Sequence, residues 1–500
     1  MTDAERDQLM RDELSGDLKA DLERIRRIFA ADRDEDIQFR EFTFAGSDAC
    51  LVFVDGLVNS DWLQEYVLRP GMRCPAWDGP ANQRLDYAQK HVIHIASIQT
   101  TGQLSGAVRS ILSGMAALLI DGCAEIAIME TRKYPTRSVD KPESEAAVQG
   151  PHEGFTENLR DNISMIRRYL NTPKLMTQMI DVGTEIPTRF ALLHVQGVAQ
   201  ERVVEAVLSR IRSVREARVP GLGQLQQLIE DRPYALLPQM MLTERPDRVA
   251  AALANGQVAI LSENSPYTLL APMTVFQQLH AADDYFERWQ YGSFQRVVRI
   301  AAMLMSVYLP GLYVAITQFH SHLIPMELLS SIAEARANVP FSLLAEVLIM
   351  EFSFALINEA GIRIPNQIGT ALGIVGALIL GQAAVEANII SPIIIIIVAI
   401  TGLGNYAIPN YGFSKGIEMY RLVILTAATA LGLPGIAIAT VMILAHLAGM
   451  HSFGVPYLAP VTPVRRPKSS LIVRWPSLVD RYGTFMAARR NRKKQREATR

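Results

Sequence analysis

Cysteine is almost absent: Cys50, Cys74 and Cys123 are the only three in 500 residues. An odd number without metal-type spacing excludes a disulfide framework and a thiolate metal site, and it fits a reducing compartment. No short motif that carries chemistry by itself is present either. There is no Walker loop, no Gly-x-Ser-x-Gly and no His-Glu-x-x-His. The expectation is a non-enzyme without metal or cofactor. The first 40 residues are charged and acidic and lack the apolar core of a signal peptide. The region that follows them is therefore expected in the cytoplasm.

Charge is the next scarcity. From Ile300 to Val461 only eleven side chains are ionised: Glu327, Glu334, Arg336, Glu346, Glu351, Glu359, Arg363, Glu386, Lys415, Glu418 and Arg421. Pro and Gly cut this stretch into blocks of about 20 residues, the length that crosses a hydrocarbon layer of ~30 Å. We expect spans near 300–319, 341–359, 366–385, 390–408, 416–433 and 435–453, the second being either a span or a re-entrant or interfacial helix. The fold class is thus an α+β soluble N-terminal region of two mixed α/β subdomains, followed by an all-α polytopic membrane domain.

The near-zero net charge conceals a division. Residues 1–299 hold 33 Lys/Arg against 41 Asp/Glu, whereas Arg465–Arg500 holds twelve against two. Beside membrane spans, the basic cluster Arg489, Arg490, Arg492, Lys493, Lys494 and Arg496 points to anionic lipid and a cytoplasmic tail, not to nucleic acid. Both termini then share one side.

Five domains are expected: a charged leader (1–45), a first subdomain (46–149), a second (150–290), the membrane domain (291–460) and the tail (461–500). In the first subdomain, Cys50–Val54 and His91–Ile95 read as strands and Gln103–Leu112 as a helix. Ala116–Ile120 and Ala124–Met129 form a hairpin about Asp121-Gly122. In the second, a helix over Thr156–Leu170 with Thr156 as N-cap precedes strands near 174–180 and 189–195. A helix over 201–212 follows, then one opened by Pro246, then a closing hairpin over 256–261 and 267–270. The two closing hairpins resemble each other, a hint of duplication.

Within the membrane domain, Gly369, Gly373, Ala377 and Gly381 form a small-residue stripe suited to close helix packing. Another face of the same segment carries Gln367, Ile374, Leu378 and Gln382, an apolar middle between two glutamines that suits either lipid or a pore. Glu346, Glu351 and Glu386 are expensive in a bilayer and are candidate functional acids. Glu346 and Glu351 point apart, since five helical residues turn about 140°. Gly402, Gly404, Asn405 and Pro409 suggest an unwound segment. His320 and His322 read as packed or interfacial residues.

Longer stretches carry a resemblance. Leu309–His320, Ile324–Leu329, Glu359–Pro365, Gly373–Leu378, Gly381–Ala387 and Ser452–Leu458 stand in order after Gly150–Glu157, Asn162, Ile166–Arg168 and Thr243–Asp247. Together they resemble the A subunit of the GerA family of endospore germinant receptors. Ser262–Pro266 departs from that pattern and puts its turn geometry in question. The resemblance implies a subunit in the spore inner membrane, partnered by a B-type transporter-like subunit and a C-type lipoprotein. It also implies homo-oligomers that conduct ions when a nutrient arrives. On it, Gln367, Ile374, Leu378 and Gln382 become pore-lining candidates. A non-conducting scaffold, or an accessory protein assisting dipicolinate release, is the alternative. A secondary transporter is disfavoured by the lack of an evident inverted repeat.

Overall fold

The computed structural model describes residues 3–133, 145, 149–363, 381–462 and 474. The chain forms two compact units. Among the described residues, the first contains those up to Glu230 together with Leu242–Pro272, and the second contains Asp231–Met241 and those from Met273 on.

The first unit holds two five-stranded sheets. Helices α1 (Asp3–Arg11) and α2 (Leu18–Phe29) precede strands β1 (Ile37–Phe44) and β2 (Ser47–Val54). Short helices α3 (Ser60–Leu63), α4 (Arg69–Arg73) and α5 (Arg84–Tyr87) lead to β3 (Ile98–Thr101), α6 (Leu104–Leu112), β4 (Ala116–Ile120) and β5 (Ile126–Met129). Next come α7 (Leu159–Tyr169), β6 (Leu175–Val182), β7 (Thr188–Val195), α8 (Glu201–Ser213) and α9 (Leu222–Ile229). The unit closes with β8 (Met241–Thr243), α10 (Pro246–Ala254), β9 (Val258–Ser262) and β10 (Thr268–Ala271). The sheets run β1-β2-β4-β5-β3 and β6-β7-β9-β10-β8, so the second repeats the strand order of the first. That agreement extends the duplication suggested by the two hairpins.

Strands such as β4 are apolar throughout because both faces are covered, so no polar alternation marks them. On one face, Leu22, Ile25 and Phe29 of α2 and Leu104, Val108 and Ile111 of α6 pack on Val52, Val54, Leu119 and Ile128. The other face seats Leu63, Val67 and Leu85 on Leu51 and Leu118.

Three expectations change. Residues 1–45, expected as a solvated helix or a partly ordered leader, are partly helical but not merely solvated: α2 buries Leu18, Leu22, Ile25, Ile28 and Phe29, and β1 pairs with β2 along its full length. Apolar residues at helical spacing were hidden among the charges. His91–Ile95 is not a strand, since residues 88–92 form a helical turn and the strand begins at Ile98. Asn158, not Thr156, caps α7, its side chain accepting from Arg160 N and Asp161 N. At Ser262–Pro266 the turn survives, because Asn264 takes the left-handed conformation (φ 58°) that glycine otherwise supplies.

Inside this unit, Arg167 of α7 reaches the segment between α2 and β1. Its Nη2 donates to Asp34 Oδ1 at 2.8 Å, and its Nε donates to Asp36 Oδ2 at 2.9 Å. Thr177 Oγ1 of β6 also donates to Asp36, at 2.8 Å. All four side chains are buried.

In the second unit, α11 (Val275–Gln278) is followed by α12 (Trp289–Phe319), α13 (Met326–Arg336), α14 (Leu343–Arg363), α15 (Pro392–Tyr406), α16 (Tyr411–Leu431) and α17 (Leu433–Ala448). A small ribbon, β11 (His451–Ser452) with β12 (Val455–Pro456), ends it, so the region is not wholly helical. Among the described residues, only α12 is both long and apolar enough to cross a membrane. The expected spans at 390–408 and 435–453 appear as helices of 15 and 16 residues, shorter than the ~20 that a straight crossing needs. Helices α14 and α16 have 21 residues each but carry ionised side chains. Most of the third expected span lies outside the described residues.

Candidate functional site

Apolar side chains hold the helices together: Val307, Ile417, Ile424 and Ala428 form one cluster, and Val314, Val347, Ile394 and Leu425 another. Each fully buried Leu, Ile or Val contributes about 1.5–3 kcal/mol. Ionised groups set into such surroundings are costly unless paired. Two paired groups of them form the candidate site.

The larger group joins four helices. Arg421 of α16 pairs through Nη2 with Glu351 Oε2 of α14 at 2.9 Å, and Arg421 is 7 % exposed against 11 % for Glu351. Arg421 Nη1 lies 3.5 Å from Ser306 Oγ of α12. One turn earlier on α16, Glu418 Oε1 accepts from Asn405 Nδ2 of α15 at 2.6 Å, and its Oε2 pairs with Lys415 Nζ at 3.0 Å. Residues 418 and 421 share a face by their i, i+3 spacing, so one strip of α16 gathers α12, α14 and α15. Among the described residues, Glu351 Oε1, Asn405 Oδ1 and Arg421 Nε are buried without a hydrogen-bond partner.

The smaller group fixes the start of α15. Glu346 is fully buried, and its Oε1 accepts from Arg336 Nη2 at 3.1 Å. Its Oε2 accepts from the backbone N–H of Ser391, the residue capping α15, at 2.9 Å. A carboxylate there also meets the positive end of the helix dipole.

Close backbone approach makes this possible. A Cβ on Gly404 would lie 2.7 Å from the Ala302 carbonyl of α12, and one on Gly402 would lie 2.6 Å from the Phe354 ring. These glycines were expected to unwind the chain; instead α15 stays helical through both, and the missing side chains admit its neighbours.

Of the acids singled out from the sequence, Glu346 is buried and Glu351 mostly so, the two turning to different partners, while Glu386 is exposed. Gln367, Ile374, Leu378, Gly369, Gly373 and Ala377 lie outside the described residues. Gln382 is exposed, and Gly381 has room for ordinary contact with Ile395. Sequence reasoning missed Arg336, Asn405, Glu418 and Arg421 as partners. The one available signal was that buried acids in an apolar stretch require bases, and Arg336 and Arg421 are among its few. His320 and His322 stand with ring centres 6.0 Å apart. No group of three or more metal-ligating side chains occurs among the described residues.

The family model described as Bacillus/Clostridium GerA spore germination protein matches residues 23–482. The chain is 34% identical over 455 residues to Spore germination protein B1 of Bacillus subtilis (strain 168), covering 90% of this chain and 92% of that one. It is 34% identical over 477 residues to the uncharacterized membrane protein YfkQ of the same organism, covering 94% and 92%. Spore germination protein A1, also from that organism, is 37% identical over 353 residues, covering 71% and 73%. The crystal structure of the N-terminal domain of the A subunit of the Bacillus megaterium spore germinant receptor GerK3 aligns at 23% identity with a TM-score of 0.40, over 52% of this chain and 97% of that one. With the family model spanning nearly all of the sequence, this chain belongs to the GerA family of spore germination proteins.

Proposed function

We propose that the chain is the A subunit of a nutrient-responsive germinant receptor in the spore inner membrane, with both termini cytoplasmic. It assembles with copies of itself, a B-type transporter-like subunit and a C-type lipoprotein, and it carries ions when the germinant arrives. The observation that most supports this reading is the charge cluster of Glu351, Arg421, Asn405 and Glu418 inside the apolar helical unit. Ionised groups at such depth mark ion paths and moving elements in membrane proteins. The small-residue stripe Gly369, Gly373, Ala377 and Gly381 then packs subunits together, and Gln367, Ile374, Leu378 and Gln382 line the path.

The test is ion flux from liposomes holding the purified protein, alone and with its B-type partner. Flux above that of empty vesicles is expected in at least one case, and Leu378→Ala should raise the basal leak severalfold and produce spontaneous germination in spores. Absence of flux in both preparations contradicts conduction and favours a non-conducting scaffold. Unchanged leak and dormancy in a stably expressed Leu378→Ala protein contradicts the assignment of the constriction.

A further inference from the structure

Asp231–Met241 belongs to the helical unit, yet the chain on either side of it, ending at Glu230 and resuming at Leu242, belongs to the α/β unit. We propose that this segment is a coupling strap: it sets the first turns of α16 and, through them, the charge cluster of Glu351, Asn405, Glu418 and Arg421.

The segment is held as a built-in element. Its carbonyls at Pro238, Gln239 and Met240 each receive a side-chain donor from the helical unit. Tyr457 Oη donates to Pro238 O at 2.8 Å, and Ser452 Oγ donates to Gln239 O at 2.7 Å. Buried Gln278 donates to Met240 O at 3.3 Å. Asp231 Oδ2 accepts from Phe453 N at 2.8 Å. Gln239 closes the strap upon itself, donating to Arg232 O at 2.8 Å and accepting from Arg232 N at 3.1 Å. A surface loop leaves its carbonyls to water, whereas here those of Pro238, Gln239 and Met240 are matched by protein donors.

The strap also occupies space that α16 leaves for it. A Cβ on Gly416 would lie 2.5 Å from the Leu236 carbonyl and 2.6 Å from the Leu237 side chain. Gly416 is two residues before Glu418 and five before Arg421, about 7.5 Å along the helix axis. A shift of the strap therefore moves the strip of α16 that gathers the other helices. As a route for control, the strap rests on the reading of the helical unit as the responding element.

Hydrogen–deuterium exchange on the full chain in detergent micelles tests the strap without germinant or partner. In the unaltered protein, peptides covering 231–241 and 411–421 should exchange together, within about threefold of each other. The Ser452→Ala/Tyr457→Phe pair should speed both by tenfold or more, leaving β6 and β7 unchanged. Faster exchange of the strap with 411–421 unmoved overturns the proposal, as does a strap unprotected in the unaltered protein. Tyr457→Phe alone, which removes a single hydroxyl, serves should the pair fail to fold, with a rise of about threefold in both segments expected and a rise confined to the strap contradicting the coupling. Since none of these measurements involves ion flux, failure of the strap and failure of conduction are separate results.

Discussion

Arg421→Met is expected to destabilise the helical unit by about 3–5 kcal/mol, because it strands the Glu351 carboxylate in apolar surroundings. The partner change Glu351→Leu should cost a similar amount, leaving the guanidinium with Ser306 alone among the described partners. Combined, the two changes should restore most of the loss, since an apolar pair of matching volume replaces a buried ion pair at little or no net cost. Thermal and denaturant unfolding of the purified protein in detergent measures all three. A single-variant loss below about 1 kcal/mol would show the pair to be solvated and of little weight. The double variant also separates support from function. Folded protein that no longer supports germination would mean that the charges themselves are used.

Arg167→Met should cost the α/β unit a similar ~3–5 kcal/mol, as Asp34 and Asp36 lose their shared counter-charge in a buried site. Burial pushes the Asp34 carboxyl up from 3.8 to about 6, against the pull of Arg167. The folded pKa lies above the unfolded one, so this group's favourable contribution is complete below about pH 3.8 and lost as pH rises through 6. Without Arg167 the charged form is disfavoured further. The variant's deficit should therefore be larger at pH 7 than at pH 5, where protonation relieves it. Equal deficits at the two values, measured by denaturant unfolding of the full chain, would contradict this account.

The strands were legible where their chemistry is local. The β4–β5 hairpin announces itself through two apolar runs about Asp121-Gly122, and Pro246 marks the start of α10 through its missing N–H. The α2 helix was also present in the sequence as Leu18, Leu22, Ile25 and Phe29, but Arg26, Arg27 and the acids around them masked its buried face. What stayed hidden is tertiary. Nothing in the order of residues pairs Glu351 with Arg421, seventy positions later, or says whether Gly402 and Gly404 break a helix or admit a neighbour, since both outcomes require glycine. The strap was invisible for the same reason. Arg232-Pro233 and Pro238 look like those of any loop, and its donors come from Gln278, Ser452 and Tyr457.

The helical unit presents Phe352, Leu403, Val441 and Met442 outward, each more than half exposed. In water such a surface would aggregate, whereas lipid covers it at no cost. Alkaline carbonate extraction of membranes from cells expressing the full chain tests that claim most directly. The protein should remain in the membrane pellet and leave it only with detergent. Release into the carbonate supernatant as a dispersed, folded chain would contradict a membrane-embedded helical unit and the receptor role built upon it.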